Sequence, residues 1–201
     1  MESSKIRTTA LQVIFVSSII FGGASCEHKP SEEKASEEVT KDVAVNQNDG
    51  KFNKSDDQKN AAFLVKAAEI NLEEISLGKL ALKKSANKDV KDLGKMMETA
   101  HTKALADLQT LALKKGISIP TELPQDAKNV YDKLDGKSEK DFDKDYADKM
   151  VSGHKDAIDL FEKESTESTD EDIRTWATNM LPELRKHLDH SIALQEKFSK
   201  M

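Results

Sequence analysis

The sequence predicts an all-α protein: four long helices packed as a bundle, with a long crossover between helices 2 and 3 that carries a short extra helix. Three observations lead there. Gly and Pro are sparse, at 8 and 4 in 201 residues, so few turns are encoded. Apolar residues recur at a helical period in four separate stretches, and no stretch shows the strict alternation of a strand. Aromatics make up only 5% and charged residues 34%, which calls for an aliphatic, Ala- and Met-rich core beneath charged outer faces.

The chain opens with Lys5 and Arg7, an apolar run from Ala10 to Phe21, and the small residues Gly22-Gly23-Ala24-Ser25. A basic start, a short apolar run and a small-residue site are the pattern of a secretory signal over residues 1–25, too short to span a membrane comfortably. Cys26 follows at once. It is the only cysteine, which excludes an internal disulfide and any cysteine-based metal cluster. Its position resembles a bacterial lipoprotein box, in which the cysteine becomes the acylated N-terminus; Gly23 departs from the larger aliphatic residue usual three places earlier. An ordinary cleaved signal with an incidental thiol is the alternative. Residues 26–58 are rich in Glu, Lys, Ser, Asn and Asp, with little to bury, and are expected to be a disordered acidic tether.

The bundle domain is expected over residues 59–200. Ser55-Asp56-Asp57-Gln58 has the form of a capping box ahead of the first long helix. Its stripe is Phe63, Ala67, Ile70, Leu77 and Ala81, with Glu74 in the gap. Asn87 is the expected N-cap of the second helix and Gly116 its stop. There Val90, Leu93, Met97, Ala104, Leu108 and Leu111 face inward, with His101 in an inward slot. Residues 117–138 hold Pro120, Pro124, a short helical piece near Ala127 to Leu134, and Gly136, and are expected to cross over the bundle. The third helix begins near Glu139, with Phe142, Tyr146, Met150, Ala157 and Phe161 inward and His154 among them. Thr169-Asp170-Glu171-Asp172 caps the fourth, whose stripe of Ile173, Ala177, Met180, Leu184, Leu194 and Phe198 includes His187.

Four ionisable groups, Glu74, His101, His154 and His187, are therefore aimed at one core, one from each helix. At about 1.5 Å per residue the first three share a layer near mid-bundle, while His187 should lie deeper along its helix. Glu183, one turn earlier, fits that layer better by depth and worse by facing. Carboxylates and imidazoles projecting inward are how ferritin-like di-metal sites are built, with Glu-x-x-His on two helices. Glu98-Thr99-Ala100-His101 supplies that spacing once, adding Glu98 as a candidate ligand. Asp143, Tyr146 and Glu183 are candidate partners that would orient the rings. A mixed Glu/His site suits iron, zinc, copper or manganese. The competing reading is a buried polar layer whose groups satisfy one another and only fix helix register.

Several local patterns recur together between about Ala61 and Leu194: Phe63…Ala67 with Glu74…Leu77-Gly78…Leu80-Ala81; Met97…His101-Thr102-Lys103; Leu123 to Leu134; Phe142-Asp143…Tyr146…His154; and Leu181-Pro182…Leu184…His187-Leu188. In these the chain resembles a widespread, uncharacterised family of small exported bacterial proteins, the predicted outer membrane proteins, whose domain of unknown function is grouped with ferritin-like bundles. The resemblance implies fold and export, and no chemistry. The family pattern has Asp before the second-helix histidine, where this chain has Ala100, and an aliphatic residue where Glu98 stands.

The formal charge is −6, and the first 25 residues carry a net positive charge through Lys5, Arg7 and Glu2, so the remainder is more acidic still. No basic patch for nucleic acid is encoded. No Gly-rich phosphate loop or nucleophile elbow is present to name a reaction. The expected function is a lipoprotein tethered to the membrane of a cell envelope, at an outer-membrane, periplasmic or surface face. Its bundle would bind a transition metal for storage, scavenging or stress defence. The alternative is a non-catalytic interaction or stress protein with a purely structural His/Glu layer.

Overall fold

A computed structural model describes residues 38–200, which are all-helical, with no strand among them. The order is α1 (Lys41–Lys51), α2 (Ser55–Lys84), α3 (Lys88–Lys115), α4 (Gln125–Asp135), α5 (Glu139–Glu167) and α6 (Glu171–Ser199). The signal segment, the lipidation expected at Cys26 and the first part of the tether lie outside the described residues. No described helix is long and apolar enough to cross a membrane.

The four long helices pack as two hairpins, α2 on α3 and α5 on α6, with α3 meeting α6 and α2 meeting α5. Their ends follow the local chemistry. Asn87 accepts from the Asp89 N–H, Ser138 from that of Asp141, and Asp170 from those of Asp172 and Ile173. Gly116 closes α3 at φ 63°, a left-handed conformation that Gly adopts without a Cβ penalty. The capping box expected at Ser55 does not form. Ser55 is already helical, Lys54 precedes it without a side-chain cap, and Gln58 Nε2 donates to the Phe52 carbonyl at 2.9 Å. Phe52 closes α1 just upstream, and its carbonyl takes the Gln58 side chain that a capping box would turn back to the helix start.

That upstream helix corrects the expectation of a disordered tether reaching residue 58. From Glu38 onward the chain is folded against the domain, with Ala44 fully buried. Asn48 makes a reciprocal pair with Ser118, its Nδ2 donating to the Ser118 carbonyl and its Oδ1 accepting the Ser118 N–H, both at 2.8 Å. Val39 and Thr121 exchange a second pair, and Lys51 Nζ donates to the Gly116 carbonyl. Lys41 reaches Glu69 on α2 at 2.8 Å. Each buried donor or acceptor so satisfied is worth about 1 kcal/mol, and more if its partner would otherwise be stranded. Polar clasps, rather than an apolar stripe, hold α1, and for that reason its composition reads as a tether.

Inside, the core is divided. One apolar cluster gathers Phe63, Leu64, Leu108, Phe161, Ile173 and Leu184. The other gathers Leu77, Leu80, Val90, Met97, Phe142, Tyr146, Met150 and Leu194. On all four long helices the residues between the clusters are polar and buried: Asn71 and Glu74 on α2, His101 on α3, His154 on α5, His187 and Ser191 on α6. A polar layer across the middle of an apolar core is costly unless its groups find partners. Their partners decide what the layer is.

Candidate metal centre

Each histidine reaches the layer because its helix carries it on the apolar face. His101 stands four residues after Met97 and three before Ala104, His154 four after Met150 and three before Ala157, and His187 three after Leu184 and seven before Leu194. These spacings put each imidazole on the stripe that packs inward. The three are all but fully buried, at 2%, 1% and 1% exposure. Their ring centroids are 5.7 Å apart for His101 and His154, 5.3 Å for His101 and His187, and 5.3 Å for His154 and His187. The triangle is nearly equilateral, and one ring nitrogen from each residue lies within 4.8 Å of those from the other two.

The greater depth expected for His187 does not separate it from the others. It lies about one turn farther from the α5–α6 loop than His154, near 4.5 Å along the axis. Side chains on a helix lean toward its N-terminus. On α5, which runs toward that loop, the lean carries His154 away from it; on α6, which runs from it, the lean carries His187 back. The two tilts close the gap.

The outward nitrogens are all spent on acceptors. His101 Nδ1 meets Asn71 Oδ1 at 3.0 Å, and Asn71 is held that way round because its Nδ2 donates to the Ala67 carbonyl at 2.8 Å. His154 Nδ1 meets the Met150 carbonyl at 2.8 Å. His187 Nε2 meets Glu183 Oε1 at 3.2 Å. A carbonyl, an amide oxygen and a carboxylate can only accept, so each ring places its N–H there. His101 Nε2, His154 Nε2 and His187 Nδ1 are left buried without a partner. In the neutral rings these are lone pairs, the form in which imidazole binds a metal.

Electrostatics keep the rings neutral. Burial, followed by the neighbouring histidines His154 and His187, holds His101 well below the usual imidazole range. Burial lowers His154 to about 4, opposed by the Met150 carbonyl and reinforced by His187 and Lys149. Burial also lowers His187, against the opposing pull of Glu183.

The remaining expected residues are distributed differently. Glu74 is buried with Oε1 4.0 Å from His154 Nδ1, but it does not join the three-nitrogen cluster, and its Oε2 has no partner. Burial, then the neighbouring Glu73, raises its carboxyl to about 8, while Lys149 pulls it down. Glu98 is not in the layer. It pairs with Lys95 at 2.8 Å, because Gly78 of α2 packs against the Glu98 backbone and leaves its side chain only the flank. Tyr146 is buried and stacked on Phe142 at 5.7 Å, its hydroxyl unpartnered, and burial together with Glu74 keeps the phenol well above its usual range. It and Asp143 lie two and three turns from His154, roughly 12 and 16 Å along α5, and neither orients the rings. Asp143 is buried, with its carboxyl raised chiefly by burial. Asn71 and the Met150 carbonyl take that role beside Glu183. Asn71 was readable, since it follows Ala67 by four and precedes Glu74 by three on the stripe; a backbone acceptor has no sequence signal.

Fold and site together define a helical bundle whose buried His101, His154 and His187 can hold a metal ion. Residues 45–194, well over half of the chain, match the family model described as Domain of unknown function (DUF4142), and the chain belongs to that family. No curated protein and no solved structure matches it.

Proposed function

We propose that this is an envelope-anchored lipoprotein whose ferritin-like four-helix bundle binds one transition-metal ion through His101, His154 and His187. The observation that carries the reading is the set of three unpartnered ring nitrogens, each backed by an acceptor that forces its lone pair to stay free. Nitrogens within 4.8 Å of one another lie no more than about 2.8 Å from a common centre. Small ring rotations would bring them to the Zn–N distance of about 2.0–2.1 Å. Three neutral imidazoles suit zinc, copper or iron better than manganese, which prefers oxygen. One such site among the described residues fits scavenging or buffering of an ion better than bulk storage.

The test is metal analysis of untagged protein followed by His154→Leu. In the parent, Zn2+ at a hundred times its dissociation constant should stabilise the domain by about 2.7 kcal/mol. The variant should lose that increment. Its metal-free form should be as stable as the parent or more so, because Leu fills the space and the Met150 carbonyl keeps its own helical N–H partner. A destabilised metal-free variant, with no metal-induced shift in the parent, would leave the purely structural layer as the answer.

The lipid anchor rests on the signal-like residues 1–25 and on Cys26 as the single cysteine directly after small residues. Mature protein from membranes should begin at Cys26 and carry acyl chains by intact mass. An unmodified Cys26 in the mature form would sink this part of the reading without touching the metal site.

A further inference from the structure

Among the described residues two buried carboxylates have no cation paired with them, Asp143 and Glu74, and only Glu74 stands in the histidine layer. Glu69, equally buried, is held by Lys41 at 2.8 Å and Lys66 at 3.3 Å. Lys149, the lysine near Glu74, is committed to Glu73 at 2.8 Å. Glu74 is 4% exposed, its Oε2 has no hydrogen-bond partner, and the hydrogen of the nearest basic nitrogen, His154 Nδ1, already goes to Met150. The α5 backbone makes room for it: a Cβ at Gly153 would stand 3.4 Å from Glu74 Oε1, so any longer side chain there would take the carboxylate's space.

Two arrangements thus lie side by side: three histidines that each bring a ring nitrogen within 4.8 Å of the other two, and a buried carboxylate behind one of those rings. A single metal ion would engage both. We propose that Glu74 sets the charge of the ion this centre accepts, balancing a divalent cation that three neutral imidazoles alone would leave uncompensated in the core. The inference rests on the metal reading above and adds its selectivity. Glu183 stands similarly behind His187, but its side chain is 44% exposed and shared with Lys186, so solvent screens it. Asn71 behind His101 is uncharged. Glu74 is therefore the group whose carboxylate, once an ion is beside it, would act with least screening, since an ion brought into a low-dielectric interior needs a counter-charge there.

The experiment compares two ions of filled d shell, Zn2+ and Ag+, in the parent and in Glu74→Gln, with binding measured by competition against a chromophoric chelator. Gln keeps the shape and removes the charge. Zn2+ affinity should fall at least tenfold. Coulomb energy is proportional to ionic charge, so the loss for Ag+ should be no more than about the square root of the Zn2+ loss. Glu74→Leu should repeat the pattern, and metal-free stability of both variants should match or exceed the parent's, because Gln cannot ionise in the core and Leu leaves no polar group there. Unchanged Zn2+ affinity, or an equal loss for both ions, overturns the proposal while leaving the metal site standing. A parent that binds neither ion overturns the metal reading itself, and this one with it.

Discussion

Gly78→Val should cost the domain about 3 kcal/mol or more, enough to unfold it under mild denaturant. A Cβ at Gly78 would stand 2.6 Å from the Gly94 carbonyl oxygen and 2.9 Å from the Glu98 nitrogen, both backbone atoms of α3. From the other side, a Cβ at Gly94 would meet the Ala81 Cβ and the Gly78 oxygen, each at 2.8 Å. Neither collision can be relieved by rotating a side chain, so α2 and α3 would have to separate. Because His101 rides on α3, the same variant should also lose most of its metal-induced stabilisation. Gly50→Ala is the control: it lies in exposed helix with nothing within 4 Å, and should gain about 0.5–1 kcal/mol from helix propensity. Chemical denaturation of the metal-free proteins reads both. A Gly78→Val midpoint within 1 kcal/mol of the parent would show that the two backbones do not approach this closely.

The metal-free domain should be most stable near pH 6.5, to within about a unit, and weaken on both sides. His154 titrates near 4 in the folded state against an ordinary 6.5, and His101 and His187 are shifted the same way. Below pH 6.5 the unfolded chain therefore binds protons that the folded one refuses, and stability falls as pH falls toward 4. His154 alone accounts for roughly 3 kcal/mol of that loss. Glu74 acts in the opposite sense. With its folded value raised to about 8 from an ordinary 4.5, the folded state holds a proton the unfolded chain has released, so stability falls as pH rises from 4.5 to 8. Between 4.5 and 6.5 three histidines outweigh one glutamate, and above 6.5 only the glutamate remains. Glu74→Gln should flatten the alkaline limb and steepen the acid limb, which the glutamate otherwise opposes. A metal-free protein whose stability is flat from pH 4.5 to 6.5 would show that the imidazoles are not held neutral by burial.

The four long helices are legible in the sequence because each writes an apolar stripe at helical period, and most of their ends carry recognisable caps or stops. Asn87, Gly116 and Asp170 mark those ends by the same chemistry that the structure displays. The histidines are legible as imidazoles standing where hydrocarbon belongs, and His101, His154 and His187 do meet. Depth along the helix was the weaker guide. Counting residues from a turn ignores the lean of side chains toward each helix N-terminus, which acts in opposite directions on α5 and α6. Glu98 shows the limit of spacing motifs, since Glu-x-x-His places a carboxylate near a histidine only if the facing helix leaves room, and Gly78 brings α2 too close. Helix α1 shows the limit of composition: Asn48 and Ser118 are 70 residues apart, and nothing local marks either as the other's partner.

The division of the three histidines between the two hairpins has a consequence for how the chain is tied together. His101 belongs to the α2–α3 hairpin, while His154 and His187 both belong to α5–α6. The only cysteine stands at position 26, so no disulfide can join the hairpins. An ion held by all three rings would be a reversible cross-link between them, closing a loop of some fifty residues through the α4 crossover. By the loop-closure entropy that applies to a disulfide, such a tie restricts the unfolded chain by on the order of 4 kcal/mol. It would differ from a disulfide in its trigger, locking when metal is plentiful and releasing when metal is withdrawn, whatever the redox state of the compartment.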